Sequence, residues 1–353
     1  MVYLKNNKVH NGKEFQSSWK YVGQVAKHIS GIKEESKEVD FFTEKVTEVK
    51  GVPMRQVVFD VLTTKYNKIK VELSGFTQEF AYPYSSKHKK SSKVKWADRF
   101  NKDKYPDTTY HLINPDWDVC QTLGDTLKEE TWVEVRGYYD FSTYTAEDGT
   151  TYPVIKRIIK NVNLITPKED GKVFYISQDN KGNEKEIEFE YICDFSDQNF
   201  KEINVGYVEL GVRSTYQDET TKDTKVNAVY MGYGKEASIP KEFELMVYHK
   251  ESGKTSLADA FAKINRGDFV KVQVVDNNRP TFGQVEKVEE GEDNPFADVE
   301  EVVANTGWAI NGNKKGLEII GQVSGTYIKG MLNEDELAGV PSEEEELPWM
   351  KEE

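Results

Sequence analysis

Cysteine is almost missing from this chain: Cys120 and Cys193 are the only two in 353 residues. Two thiols cannot build the framework of a disulfide-stapled domain. With five scattered histidines they cannot form a Cys-rich zinc site either. Such usage fits a reducing compartment. Long apolar runs are also missing, and no stretch approaches the roughly 20 residues that a membrane helix requires. The first residues, Met1 to Lys8, lack the apolar core of a signal peptide. No phosphate-binding G-x-x-x-x-G-K-[ST] loop and no G-x-S-x-G elbow is present. The expectation is a chain without enzyme activity, cofactor or bound metal. Positive charge is in deficit as well, with a formal net charge of -14.

That deficit is local. Residues 289–301 carry -7 and residues 334–353 carry -8, which together exceed the charge of the whole chain. The body is therefore close to neutral, so the global balance does not exclude an anionic partner, because local fields do the steering. Residues 1–165 carry +4 and residues 166–288 carry -5. A partner with negative charge should therefore meet the first part of the chain.

The positive charge concentrates between Lys65 and Lys104, where eleven basic residues face four acidic ones. Lys65, Lys68, Lys70, Lys87, Lys89, Lys90, Lys93, Lys95 and Arg99 are interleaved with Phe76, Phe80, Tyr82, Tyr84 and Trp96. A lysine-rich stretch is usually just a solvated loop. This one threads large rings between its charges, and rings are costly to expose without a partner. A cationic groove with stacking rings is what single-stranded nucleic acid requires. Lysine predominates over arginine, and lysine follows phosphates without the forked geometry that reads guanine, so binding without sequence preference is expected.

Periodicity gives the elements. Strands are expected at Trp19–His28, Met54–Thr63 and Lys68–Phe76, the last with Ile69, Val71 and Leu73 inward and Lys68, Lys70 and Phe76 outward. A short helix is expected over Val119–Glu130, then strands at Trp132–Phe141 and Tyr152–Ile165 around a turn at residues 147–150. Outward Trp132, Arg136 and Tyr138 should then share a side with Lys68, Lys70 and Phe76. Three strands, a helix and two strands is the order of the OB-fold, a five-stranded barrel. The order recurs: strands at Glu202–Val208, Val226–Tyr233 and Phe243–Tyr248, a helix at Ser256–Ile264, and strands at Phe269–Val274 and Thr281–Val288. The fold expected is mainly β, two tandem OB-fold barrels followed by an acidic flexible tail. The division is a lead-in over 1–18, a first barrel over 19–165 that carries the main binding surface, and a connection over 166–200. A second barrel over 201–288, an acidic and Gly-rich segment over 289–332 and an acidic tail over 333–353 complete it.

The tail reads Glu343, Glu344, Glu345, Glu346, Leu347, Pro348, Trp349, Met350. An acidic run leading into a short apolar knot with a proline and an aromatic resembles the C-terminal tip of bacterial single-stranded DNA-binding proteins. In that family the tip docks replication and repair proteins and competes with DNA for the basic groove. Here Lys351, Glu352 and Glu353 follow the knot, so the terminal carboxylate stands apart from it. Together with the tandem barrels, the chain resembles a phage- or plasmid-type single-stranded DNA-binding protein. The resemblance implies single-stranded DNA as partner, a role in replication or recombination, other proteins recruited through residues 343–350, and the cytoplasm of a bacterial host. A scaffold whose barrels bind peptides is the alternative. A nucleotidyltransferase is a further one, because Lys168-Glu169-Asp170-Gly171 matches the K-x-D-G of enzymes such as DNA ligases. That motif follows Pro167 in the connection, with no nucleotide-binding domain before it. Asp116 and Asp118, beside Trp117, are expected to serve a helix start rather than a metal.

Overall fold

Alternating apolar residues build the strands, and the strands close into two barrels. The computed structural model describes residues 15–30, 36–47, 51–146, 148–168, 172–178, 184–232, 239–251, 255–284 and 308–338. In the first barrel β1 (Ser17–Ala26), β2 (Pro53–Leu62) and β3 (Lys68–Phe76) precede α1 (Asp116–Thr126). After it come β4 (Trp132–Thr145) and β5 (Thr151–Leu164). All neighbours are antiparallel except β3 and β5, which meet in parallel at Glu72 and Ile158. The ring closes through β1 on both sides, against β2 at Val25↔Val61 and against β4 at Tyr21↔Val135. This is the OB-fold order in full. Phe59, Ile69, Val71, Val133 and Val135 fill the interior.

Between the barrels, β6 (Lys172–Gln178) and β7 (Glu184–Glu190) form a hairpin. The second barrel repeats the plan with β8 (Ile203–Gln217), β9 (Thr224–Gly232), β10 (Ile239–Val247), α2 (Leu257–Phe261), β11 (Phe269–Gln284) and β12 (Trp308–Gln322). Its parallel closure is β10 on β12, at Leu245↔Leu317. Phe243, Leu245 and Val247 point inward as the alternation predicts. The closing strand is not Thr281–Val288. Thr281 belongs to β11, and β12 lies in the segment read as Gly-rich, beyond residue 288. Its glycines hide it: Gly316 sits at φ 89° and the β11–β12 ladder shifts register twice, and among its described apolar side chains only Leu317 and Ile319 are core. α3 (Glu334–Ala338) follows and plugs Leu337 against Phe15, Val229, Met231, Phe269 and Leu332. The end of the presumed lead-in is thus part of the second barrel's packing.

The two barrels share one sheet and one core. β1 pairs with β8 along Ser17↔Val208 to Val22↔Ile203. A single apolar cluster runs through both, with Phe141 of β4 and Phe243 of β10 at 4.2 Å between ring centres. A buried polar seam crosses the same junction. Asp276 of β11 accepts from Arg157 Nε at 2.5 Å and Nη2 at 2.7 Å and from the Tyr21 hydroxyl at 3.0 Å. Asn67 donates to the Asp276 carbonyl at 3.0 Å and accepts from the Asn278 N–H at 2.8 Å. Burial, with Asp276 next, pushes the phenols of Tyr21 and Tyr139 upward in pKa, so both stay neutral hydrogen-bonding groups. The first barrel's strands are therefore held in a fixed relation to the second's.

Candidate nucleic-acid interface

The 39 residues between β3 and α1, numbers 77–115, leave the barrel as a folded arm. Two short ladders build it, Phe80–Ala81 against Val94–Lys95 and Tyr84–Ser85 against Lys90–Ser91. Alternation sorts the side chains: Ala81, Pro83 and Ser85 are buried, and Phe80, Tyr82 and Tyr84 lie on the other face. At the tip the Ser85 hydroxyl accepts from the His88 N–H at 3.3 Å, and Lys89 takes a left-handed conformation at φ 50°. Two contacts brace the arm internally and a third roots it in α1. Tyr84 and His111 exchange backbone hydrogen bonds at 2.9 and 3.0 Å. Tyr105 donates its hydroxyl to the Arg99 carbonyl. Arg99 grips Asp118 of α1 with two hydrogen bonds, at 2.8 and 2.9 Å. Gly75, where the arm leaves β3, lies against the start of α1. A Cβ there would fall 2.1 Å from the Trp117 backbone nitrogen.

The arm gathers most of the sequence-predicted residues. Lys87, Lys89, Lys90, Lys93 and Lys95 are exposed and make no ion pair among the described residues. Lys93 Nζ lies 3.5 Å from the centre of the Phe80 ring. Phe76 and Tyr82 are 45% and 53% exposed, although rings of that size are usually covered. With Trp96 they line a cavity of about 330 Å³ at the arm's root, which Gln78, Asn114 and Asp116 also border. Trp96 borders a second hollow as well, about 340 Å³, with Phe80 and Lys95. Arg99 is a different case. Its guanidinium stacks 4.4 Å from the centre of Trp96 and is committed to Asp118, so it is a strut and not a free cation. The Asp118 contact raises its already high pKa. Lys68 and Lys70 are exposed on β3 as predicted, but Lys70 pairs with Glu72 at 3.0 Å and stands opposite Asp60.

The β4 side of the barrel is covered. The β6–β7 hairpin and the turn after it lie over Trp132, whose ring meets Phe195 at 4.8 Å and Tyr191 at 5.8 Å. The apolar residues of the connection, Val173, Phe189 and Tyr191, need that surface to leave water. Trp132 is packing here and not an open platform, and Lys65 lies with it beside a separate hollow lined by Cys193 and Phe195. Arg136 is half exposed but donates to Glu134 at 2.9 Å, and Lys20 pairs with the same carboxylate at 2.6 Å. Burial raises the Glu134 pKa; the two cations outweigh it and hold the carboxyl below its ordinary value. Tyr138 is half-buried with Lys160 Nζ 5.0 Å from its ring centre. Within the expected common face of Lys68, Lys70, Phe76, Trp132, Arg136 and Tyr138, Phe76 borders the arm and Trp132 is covered by the connection, while Lys68 lies at the far end of β3, where its carbonyl accepts from Asn278 of β11. In the second barrel Arg213 pairs with Glu242, Lys225 with Glu244 and Lys314 with Glu318, and Lys241 reaches Asp140 of β4 in the first.

Sequence reasoning missed Gln78, Ile113 and Asn114 at the cavity, because only the fold of the arm brings them to it. It also missed Tyr144 and Tyr152, exposed cross-strand partners near the end of the β4–β5 hairpin, whose alternation was legible. Residues 343–350 lie outside the described residues. Lys168 of the K-x-D-G match contacts both Glu186 and Glu188, which raise its pKa. A lysine nucleophile needs the opposite shift. No group of His, Cys, Asp and Glu side chains suited to a metal is found among the described residues. No described helix is long and apolar enough to cross a membrane.

No protein-family model matches the chain, and no curated protein matches it. Among solved structures, the chain is similar to the wild-type single-stranded DNA-binding protein from Thermus aquaticus. The identity is 9% and the TM-score 0.34, over 78% of this chain and 97% of that one. It is likewise similar to a deletion mutant of that protein, at 10% identity and TM-score 0.34, over 78% of this chain and 99% of the other. At such a TM-score the likeness adds nothing to the strand order, which stands on its own hydrogen bonds.

Proposed function

We propose that this protein binds single-stranded DNA with little sequence preference, through the arm and the adjoining end of β3. It covers the strand in replication or recombination and engages partner proteins through residues 343–350. One observation carries the reading: five exposed lysines with no ion pair among the described residues stand on one small hairpin beside exposed rings. Unpaired lysines neutralise phosphates and release counterions, and rings accept unstacked bases of any identity. A duplex offers its charge but hides its base faces, so the rings favour single strands. Titrating the full chain with oligo-dT while following tryptophan and tyrosine fluorescence tests this. Quenching that disappears as salt rises is expected. An unchanged signal with no binding would leave the protein-interaction scaffold as the better account.

A further inference from the structure

We propose that the cavity at the root of the arm is a nucleobase subsite. One base of the bound strand leaves its neighbours and enters beside Trp96, while its phosphates stay outside on the lysines. This deepens the reading above and rests on it.

The lining decides which part of a nucleotide goes in. Phe76, Tyr82 and Trp96 give it aromatic walls, and neither Phe76 nor Tyr82 makes a ring contact or side-chain hydrogen bond among the described residues. The one charged side chain in the lining is the Asp116 carboxylate, and no lysine or arginine lines it. A phosphate is repelled there; a neutral ring with N–H groups on its edge is not. The amides of Gln78 and Asn114 add donors and acceptors that suit the edge of any base. The cavity, at about 330 Å³, is at the small end of the range of roughly 300–1,000 Å³ that ligand sites occupy. That size suits one base and not a stacked run.

Trp96 is set in place before any strand arrives. Its backbone N–H donates to the Glu79 carbonyl at 3.0 Å, and its ring is backed by the Arg99 guanidinium that Asp118 holds. Little ordering is then left for the bound state, which is where preorganisation gains affinity. Cations are close on the other side: Lys95 shares the second hollow with Trp96, Phe80 and Glu79, and Lys93 sits over Phe80. The arrangement places phosphate sites next to a base site.

The test compares a labelled oligo-dT with an abasic oligomer of the same length and charge, by fluorescence anisotropy on the full chain. Three variants are needed: Trp96→Ala, Trp96→Phe and Tyr82→Ala. Tyr82→Ala guards against misfolding, since that side chain is mostly exposed. Trp96→Ala and Tyr82→Ala should each weaken oligo-dT binding roughly 5- to 150-fold, the equivalent of about 1–3 kcal/mol. Affinity for the abasic oligomer should not move, and Trp96→Phe should recover most of the loss. Equal losses on both oligomers, or no loss with either alanine variant, overturn the base subsite while leaving strand binding intact. A wild-type chain that ignores oligo-dT removes the functional reading and the subsite with it.

Discussion

Replacing Asp276 by alanine should loosen the seam between the barrels. Its carboxylate is 1% exposed and accepts three hydrogen bonds, two from Arg157 and one from Tyr21. Removing it leaves the Arg157 guanidinium, 19% exposed, without its counter-charge. Tyr21 keeps only the Tyr139 hydroxyl, at 3.1 Å. Breaking a buried pair from one side costs about 3–5 kcal/mol, because the surviving charge is stranded. Against a folding stability of about 5–15 kcal/mol that is a large fraction. At about 2–4 °C per kcal/mol it corresponds to a fall of roughly 6–20 °C in Tm. The variant with both Asp276→Leu and Arg157→Met strands neither charge and should recover most of the loss. Thermal melts and urea unfolding of Asp276→Ala, of the single variants Asp276→Leu and Arg157→Met, and of the double variant give the answer. An Asp276→Ala protein that melts within about 2 °C of wild type would refute the reasoning, since that is less than 1 kcal/mol. A double variant that merely adds the two single losses would do the same.

Further expectations follow from the same contacts. The folded pKa values of Tyr21 and Tyr139 lie above their unfolded value, so the neutral phenols stabilise the fold fully below about pH 10 and that contribution is lost as pH rises beyond it. Urea midpoints that stay flat through that range would contradict this. Burial pushes the thiols of Cys120 and Cys193 up to about 11, so native protein near pH 8 should label with a disulfide reagent far more slowly than unfolded protein. Asp118→Asn weakens the Arg99 anchor by about 1.5–3 kcal/mol, the worth of hydrogen bonds to a charged group. Trypsin should then cut between Lys87 and Lys95 sooner than in wild type; unchanged cleavage would mean that the arm is held elsewhere. Truncation after Ala338 removes the acidic end while keeping Leu337 in its pocket. Oligo-dT binding should tighten, most at low salt, and unchanged or weaker binding would dismiss competition by the tail.

Much of this architecture was legible in the residues. Lys68–Phe76 alternates without a break and is a strand with those bounds. The two helices precede their fourth strands as the repeat requires. β12 was not legible, because glycines interrupt its alternation and its partners lie on β10 and β11, far away in sequence. The covering of Trp132 was hidden for a related reason. An outward position on a strand says nothing of what a later hairpin lays over it, and Phe195 is 63 residues further on. The arm's lysines and rings were legible as a composition, and their sorting into exposed Tyr82 and strut-like Arg99 needed the fold. Arg99 looked like one more phosphate contact until Asp118, 19 residues later, came to face it.

The central claim is that the exposed lysines on the arm hold the sugar-phosphate strand. It is tested most directly by the salt dependence of oligo-dT binding, measured for wild type and for the chain with Lys87, Lys89, Lys90, Lys93 and Lys95 all changed to alanine. For single strands each phosphate contact contributes about 0.7 to the slope of log K against log salt, so losing five should flatten it by about 3.5. Affinity at low salt should fall with it. Two parallel lines of equal slope would place the strand on some other surface and contradict the account.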